Sequence, residues 1–278
     1  MNNINTETII NNNKNSLYLN SFMAIVNKEI TRIFRIWKQT LLPPIITQSL
    51  YFVIFGTFVG SRVSGDFNGL TYIQFLVPGL VMMAIIMNSF TNVVSSFYGA
   101  KFQKNVEEIL ISPTPNWVIL AGFCSGGIIR GLLVGLIVFV ISFLFVKPTI
   151  MHAEYILIFS IITSSLFSLI GFFNSLFAKS FDDVQIIPTF VLTPLTYLGG
   201  VFYLTSQLPI SNILGISINW QTISRLNPIV YMIDGFRYGF YGTNEFPIIL
   251  SLGIVGVSNL VFVILNLYLL KKGYGLKS

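Results

Sequence analysis

The sequence predicts an all-α membrane protein with six transmembrane helices. Hydrophobic residues make up 54% of the 278 residues and charged residues only 9%. The mean hydropathy is +0.77, well above the range of soluble globular domains. Six apolar runs are each long enough to cross a bilayer, for which a helix needs about 20 apolar residues.

The apolar runs define the predicted organisation of the chain. Backbone groups in hydrocarbon must bond within their own segment, so each run is predicted to be a helix. The third run exceeds the minimum length, which predicts tilt or extension beyond the hydrocarbon. The predicted spans are residues 41–60, 72–97, 117–146, 155–178, 184–204 and 246–270, within a transmembrane domain of residues 41–272 that a cytoplasmic tail, 273–278, follows.

The region before the first span has two predicted parts. Residues 1–19 are predicted to be a disordered cytoplasmic tail, since their Asn-rich start is of low complexity and lacks the apolar core of a secretory signal. Residues 20–40 are predicted to be an amphipathic helix on the cytoplasmic membrane surface. The alternative is an extension of the first span, although Pro43 and Pro44 favour a break. The apolar positions are Phe22, Ile25, Val26, Ile30, Ile33, Phe34 and Trp37, opposite Lys28, Arg32, Arg35 and Lys38.

Lysine and arginine are distributed unevenly between the two predicted sides of the membrane. One side carries Lys14, Lys28, Arg32, Arg35, Lys38, Lys101, Lys104, Lys179, Lys271, Lys272 and Lys277. The other side carries Arg62, Lys147, Arg225 and Arg237, and Arg130 lies within the third span. The positive-inside rule therefore predicts that both termini are cytoplasmic. Topology accounts for the net charge of +6, and we expect lipid but no nucleic acid as a partner.

The segment 205–245 differs from a free loop because it is only partly polar. We predict short external helices here that re-enter the outer leaflet, since irregular backbone at membrane depth must be shielded by protein.

The sequence contains no recognisable catalytic motif. There is no HExxH, and His152, the single histidine, falls in a short external loop. Ser125 has no histidine or lysine within a span to act as its base. Cys124 is the single cysteine, so no disulfide or cysteine-based metal site is expected. A GxxxxGK[ST] phosphate-binding loop is also missing, so we expect no enzyme activity, metal or cofactor here, and any ATP dependence requires another subunit.

The third predicted span combines small residues with one cation. Its glycines form two series at four-residue spacing, Gly122 with Gly126, and Gly127 with Gly131 and Gly135. Such series let helices approach closely, either within the chain or at a dimer interface. Arg130 is predicted to point inward, because a cation facing lipid is costly. Its partner would be a carbonyl, a carboxylate or an anionic substrate group.

Other polar residues within the spans either join helices or line a substrate path. The candidates for a path are Asn88 and Thr91 in the second span, Arg130 in the third, and Thr189, Thr193 and Tyr197 in the fifth. Asn92 and Asn174 belong to the same class of residue.

The segment between the second and third spans predicts a short amphipathic helix. It reads YGAKFQKNVEEILISPTPNW, with two glutamates next to an apolar run and two prolines that end the helix. A helix of this kind is suited to dock in a groove of another protein. The alternative is a solvated loop.

Four ordered motifs resemble those of the permease subunits of type-2 ABC exporters, over nearly all of residues 20–272. The second span starts with an FLxPGL-like motif, Phe75 to Leu80, and the fifth ends in GGVFY, Gly199 to Tyr203, before Leu208 and Pro209. An EExLxSP-like motif comprises Glu107, Glu108, Leu110, Ser112 and Pro113. An NPxxYxxDxxR-like external motif comprises Asn227, Pro228, Tyr231, Asp234 and Arg237.

The resemblance implies an exporter in the bacterial inner membrane. Two copies of the permease would pair with two cytoplasmic ABC ATPases, which bind ATP and Mg, and residues 99–115 would form the coupling helix that contacts them. It also implies a substrate path near the dimer interface, with spans two and five prominent. A secondary transporter or channel not driven by ATP is the alternative, although it would need ionisable groups within the spans, where Arg130 alone qualifies clearly.

Overall fold

The described residues form a set of packed helices with one short β-hairpin. The computed structural model describes residues 3–60, 62, 67, 69–112, 114–213 and 216–275, apart from the side chains of 3–15, 107, 109, 110, 210–213 and 216–218. The helices are α1 (Asn3–Arg35), α2 (Trp37–Thr40), α3 (Leu42–Tyr51), α4 (Tyr72–Phe102), α5 (Asn105–Ile111), α6 (Asn116–Ser142), α7 (Ala153–Phe177), α8 (Phe181–Ile187), α9 (Thr193–Tyr197), α10 (Trp220–Leu226), α11 (Pro228–Tyr241) and α12 (Ile248–Lys272). The strands are β1 (Ile210–Ile213) and β2 (Ile216–Asn219), which pair antiparallel.

Five helical segments of the described chain are long and apolar enough to cross a membrane. They are Trp37–Val59, Tyr72–Phe102, Asn116–Ser142, Ala153–Phe177 and Ile248–Lys272. A π-helical segment, Phe52–Val59, completes the first of these after α3. The helical class of the fold is thus confirmed, and the five segments coincide with predicted spans one to four and six. The β-hairpin lies in the segment 205–245 and was not predicted.

The fifth predicted span, 184–204, is shorter in the structure than the other five. Its helical part consists of α8, the π-helical segment Pro188–Leu192 and α9, and it ends at Tyr197. Pro188 begins the π-helical segment, whose wider turns let the helix continue past a residue without an N–H. Beyond Tyr197 the chain turns at Gly200, whose φ of +78° favours glycine.

The N-terminal helix is longer than the predicted amphipathic helix, 20–40. α1 begins at Asn3, so its backbone is helical where residues 1–19 were predicted to be disordered. Extending a helix that is already nucleated costs little, which explains how an Asn-rich segment continues one. Breaks at Ile36 and Leu41 separate α1, α2 and α3. Pro43 lies in the first turn of α3, where a missing N–H is tolerated.

Helix α4 is the centre of the structure. Of its most apolar stretch, 83% is buried, compared with 11% for Trp37–Val59 and 11% for Ile248–Lys272. α6 and α7 both pack along α4, and α11 contacts it near its start. Towards its other end, the ring of Phe97 lies 5.1 Å from that of Phe123 in α6 and 4.3 Å from that of Phe172 in α7. The other helices are therefore positioned by how they attach to α4.

The first glycine series of α6 receives α1. A Cβ placed on Gly122 would lie 2.8 Å from a side-chain carbon of Ile25, and one on Gly126 would lie 2.7 Å from the Cβ of Glu29. Both distances are shorter than real Cβ contacts, so these positions let α1 lie directly on the backbone of α6. This explains why the predicted interface helix is packed into the protein.

The second glycine series of α6 receives α4. A Cβ on Gly127 would lie 2.8 Å from the carbonyl oxygen of Ser89, and one on Gly135 would lie 2.5 Å from a side-chain carbon of Ile85. Of the two alternatives that the sequence left open, packing within the chain therefore accounts for both series.

Replacing Gly127 with alanine should destabilise the protein by about 1–3 kcal/mol, because the new Cβ meets backbone that cannot move aside. The matched control is Gly253→Ala in α12, where a Cβ would have no atom within 4 Å. We expect that control to be neutral or slightly stabilising. Unfolding of both variants in mixed detergent micelles measures the difference. An equal effect of the two substitutions would show that the α4–α6 contact is not tight.

Candidate functional site

Helix α11 begins at a cap supplied by the NPxxYxxDxxR-like motif. The side-chain oxygen of Asn227 accepts the backbone N–H two residues on at 3.0 Å, and Pro228 occupies the first helical position. The side-chain nitrogen of Asn227 donates to the carbonyl oxygen of Leu195 at 2.6 Å. One residue therefore starts α11 and also attaches it to α9. The Tyr231 hydroxyl donates to the carbonyl oxygen of Arg225 at 2.9 Å and joins α10 to α11.

The carbonyl oxygens at the end of the fifth predicted span each accept a side-chain donor from another element. The pairs are Ser224 with the oxygen of Leu198 at 2.9 Å, Arg237 with that of Gly200 at 2.8 Å, and Tyr72 with that of Phe202 at 3.1 Å. The last carbonyls of a helix have no partner within the helix, and buried carbonyls need a donor. Elements α10, α11 and α4 supply these donors. We call this set of contacts the α11 junction.

The FLxPGL-like motif at the start of α4 packs against the α11 junction. The guanidinium of Arg237 lies 3.9 Å from the ring centroid of Phe75, a cation–π contact that is 95% buried on the arginine side. A Cβ on Gly79 would lie 3.0 Å from the backbone of Val201, so glycine is what lets the GGVFY segment approach. Three of the four motifs, far apart in sequence, therefore meet in one place.

Two carboxylates next to the α11 junction accept backbone N–H groups from the segments that precede and follow α11. Asp234 accepts the backbone N–H groups of Glu245 and Phe246 at 2.8 and 3.0 Å, just before α12. The Glu245 carboxylate accepts the N–H of Thr205 at 3.0 Å and also its hydroxyl. Burial raises the pKa of Asp234 to about 6, although its two N–H donors and Arg237 act in the opposite direction.

Arg130 lies inside the structure, which is the orientation that the sequence predicted. Only 8% of the residue is exposed, and its guanidinium donates to the carbonyl oxygen of Thr40 at 3.2 Å and to the side-chain oxygen of Asn88 at 3.3 Å. The Asn88 nitrogen in turn donates to the carbonyl oxygen of Ala84 at 2.9 Å. Arg130 therefore links α6 to α2 and α4 through a carbonyl and an amide.

A buried carboxylate, Glu29, joins α1 to α4. Its side chain is fully buried and forms an ion pair with Arg32 at 3.1 Å. The Ser96 hydroxyl of α4 donates to the other carboxylate oxygen. Arg32 also donates to the side-chain and backbone oxygens of Asn92 at 2.8 and 3.0 Å. Each charge is paired and hydrogen-bonded, as burial requires.

Glu29 was not among the predicted site residues, although its position in the sequence carries a signal. Glu29 lies midway between Ile25 and Ile33 at four-residue spacing, and all three are buried, so the carboxylate falls in the middle of the apolar face. Arg32 was predicted to lie on a basic face that meets lipid headgroups, and the structure places it elsewhere. It is half-buried against α4, whereas Lys28 is exposed.

The six candidate path residues do not gather in one place. Asn88 and Arg130 meet inside the structure. Two threonines bond to their own helices, Thr91 to the carbonyl oxygen of Met87 at 2.5 Å and Thr193 to that of Pro188 at 2.8 Å. Thr189 and Tyr197 are exposed along the fifth predicted span. The Tyr197 and Tyr51 hydroxyls lie 2.7 Å apart, which joins that span to the first.

The predicted coupling segment is a short helix at the far end of α4. After Phe102 the chain turns at Lys104, whose φ is +62°, and α5 follows. Glu108 is exposed, and Ser112 is half-buried and bonded to the Thr114 hydroxyl at 2.8 Å. The side chains of Glu107 and Leu110, and all of Pro113, lie outside the described residues.

The fold and these sites define a multi-pass helical membrane protein in which one central helix connects the FLxPGL-like motif at its start to the EExLxSP-like motif that follows its end. The sequence model of the ABC-2 type transporter family matches residues 20–241, well over half of the chain. The chain therefore belongs to the ABC-2 type transporter family, and the resemblance to the permeases of this class is confirmed.

Named relatives extend this finding. The chain is 50% identical over 262 residues to the inner membrane transport permease YadH of Escherichia coli (strain K12), covering 94% of this chain and 99% of the relative. The same values hold for the protein of that name from Shigella flexneri. Nodulation protein J of Rhizobium leguminosarum bv. viciae is 22% identical over 241 residues, covering 85% of this chain and 90% of the relative.

Asn88→Leu should destabilise the protein by about 1–3 kcal/mol, because it removes an acceptor from a buried guanidinium. In an Arg130→Met background the same substitution should cost clearly less, since no cation then needs the acceptor. Unfolding in mixed micelles over the four variants gives the coupling energy. Asn259→Leu in α12 is the control and should cost the same in both backgrounds. Equal costs for Asn88→Leu would mean that the contact has no energetic role.

The raised pKa of Asp234 predicts a pH-dependent stability. The folded protein holds this proton more tightly than the unfolded chain, whose carboxyl has a pKa near 3.8. The contribution of Asp234 should therefore fall as pH rises from about 4 to about 6, by up to about 3 kcal/mol, and stay constant above that range. The measurement is the difference in unfolding free energy between the natural protein and Asp234→Asn across this range. Asp182→Asn, at an exposed site, is the control, and a flat difference for Asp234→Asn would refute the prediction.

Proposed function

We propose that the chain is the membrane subunit of an ATP-driven exporter in a bacterial inner membrane. Family membership and the relatives named as inner membrane transport permeases support this proposal. Two copies form the transmembrane unit, and two cytoplasmic ABC ATPases bind ATP and Mg and supply the energy. This chain contributes the path and the docking surface.

The observation that carries the proposal is the surface around α5. Phe102, just before the helix, is 66% exposed, and Ile111 at its end is 85% exposed. Glu108 lies exposed between them. Apolar side chains beside an acidic group on a short helix form a surface suited to a groove in another protein. In this function the apolar side chains fill the groove, and the acidic group meets basic residues on the ATPase.

Helix α4 provides the physical route from this surface into the membrane. At 1.5 Å per residue its 31 residues extend about 46 Å, more than the thickness of the hydrocarbon. Docking at α5 acts on one end of the buried helix α4, and the α11 junction is attached to the other end of the same helix. Closure of the ATPases shifts the balance between permease states through α4.

The second copy and the substrate path are assigned to the side of the first and fifth predicted spans. The first span and α12 are the two spans least buried by the rest of the chain. The first span exposes the side chains of Ile46, Leu50, Ile54 and Phe58. Apolar faces of this extent are covered by lipid or by another copy. The exposed Thr189 and Tyr197 lie on the same side through the Tyr51–Tyr197 contact. Both termini and α5 are assigned to the cytoplasm by the charge distribution.

Reversing the charge of α5 tests the proposal. In the double variant Glu107→Lys/Glu108→Lys, attraction to a basic ATPase surface becomes repulsion, while membrane insertion is unaffected. We expect retention of the ATPase on the affinity-purified permease to fall by about tenfold or more, equivalent to about 1.4 kcal/mol. Quantitative mass spectrometry of the complex purified from native membranes measures this.

The control for this test is Glu154→Lys, which reverses an exposed acidic residue at the start of α7, on the opposite predicted side. It should leave ATPase retention unchanged. If the wild-type permease retains no protein with an ATP-binding loop, the secondary transporter or channel is favoured. If the double variant retains the ATPase normally, α5 is not the docking element.

A further inference from the structure

Lys101 makes two hydrogen bonds that the proposed docking surface does not explain. Its ammonium, in the last turn of α4, donates to the carbonyl oxygens of Leu176 at 3.1 Å and Ala178 at 3.0 Å. These carbonyls belong to the C-terminal end of α7, where the helix dipole is negative and carbonyls lack partners within the helix. A cation from α4 therefore closes the end of α7.

Aromatic contacts join the same end of α4 to the start of α8. The ring of Phe181, the first residue of α8, lies 4.9 Å from that of Tyr98 and 5.0 Å from that of Phe102. Tyr98, Lys101 and Phe102 fall on one face of α4 at three- and four-residue spacing. This face therefore holds both the end of α7 and the beginning of α8.

The connection between α7 and α8 is short and internally bonded. Only Ala178, Lys179 and Ser180 separate the two helices. The Ser180 hydroxyl accepts the N–H of Asp183 at 3.1 Å, and the Asp183 carboxylate accepts the N–H groups of Ser180 and Lys179 at 3.1 and 2.8 Å. This reciprocal capping makes the turn stiff. A displacement of its carbonyls must therefore move the start of the fifth predicted span.

We propose that Lys101 is a positioning residue that transmits movement of α5 to the fifth predicted span. It lies four residues before α5, in the last turn of α4, and donates hydrogen bonds to the turn that leads into α8. This inference rests on the proposed function, since it requires an ATPase that acts on α5. Removing the ammonium should leave docking of the ATPase intact. It should abolish the movement of the fifth predicted span that docking causes.

The test needs no knowledge of the transported substrate. A single reporter cysteine, Asp182→Cys in the first turn of α8, is introduced in a Cys124→Ser background, because Cys124 is the single native cysteine and Asp182 is exposed and precedes the predicted span, 184–204. The rate of labelling by a water-soluble maleimide is measured in native membranes with ATP and vanadate and without nucleotide. With Lys101 present we expect the two rates to differ by about fivefold or more, in the range typical of coupled sites.

The variants separate transmission from simple stability. Lys101→Met should abolish the nucleotide-dependent rate difference while retaining the ATPase at the level of the parent protein, and Lys101→Arg should restore the difference. Lys271→Met, at an exposed lysine in the last turn of α12, is the matched control and should behave like the parent. If Lys101→Met is poorly folded, Phe181→Leu keeps the lysine, weakens the aromatic contact between the same face of α4 and the start of α8, and should reduce the rate difference.

The outcomes that overturn the inference are distinct from failure of the proposed function. A normal rate difference in Lys101→Met, or no restoration by Lys101→Arg at equal ATPase retention, refutes the role of Lys101. Failure of the parent protein to retain any ATPase refutes the proposed function, and with it the inference.

Discussion

The rest of the structure depends on the burial of α4. A helix buried along most of its length offers little surface to water, so its buried polar groups are stabilised by partners in α4 itself or in neighbouring helices. Asn88 meets Arg130 of α6, and Ser96 and Asn92 meet the Glu29–Arg32 pair of α1. These contacts fix which neighbours lie where along α4. The glycines of α6 allow those neighbours to come close enough to make them.

The two ends of α4 are attached to neighbouring elements by the same kind of hydrogen bond. At each end, side-chain donors from α4 or α11 meet carbonyl oxygens at or just beyond the end of another helical segment. Tyr72 and Arg237 close the fifth predicted span, and Lys101 closes α7. Buried helix ends need such donors, and a side chain that supplies one also locks the two helices in register.

The sequence predicted the elements that depend on local composition. Five of the spans and the inward position of Arg130 follow from apolar length and the cost of a charge in lipid, and both features are present in the structure. The sequence could not place the partners, because contacts such as Lys101 with Ala178 join residues that are 77 apart in the chain. The sequence places Lys101 among the cytoplasmic charges and within the segment 99–115, but it does not predict the contact with α7.

Two further differences have local causes. The β-hairpin is a pairing of two short segments whose residues also fit an irregular loop, and no turn signal of the Asn-Gly type marks it. The fifth predicted span ends early because the chain turns at Gly200, and apolar composition continues past the point where the helix stops. Composition therefore gave the extent of the apolar run, whereas backbone geometry set the end of the helix.

Rigidity of α4 decides how movement can pass through the protein. The contacts at Gly79 and Gly127 leave no room for α4 to slide against Val201 or against α6 without displacing backbone or packed side chains. Movement of α5 therefore has to turn α4 together with the helices attached to it. The first span and α12 share few of these attachments, since most of their apolar surface is exposed. The attached helices form one unit. The fifth predicted span is joined to this unit through Phe181 at its start, through packing of its middle segment Pro188–Leu192 on α4, and through the α11 junction at its end.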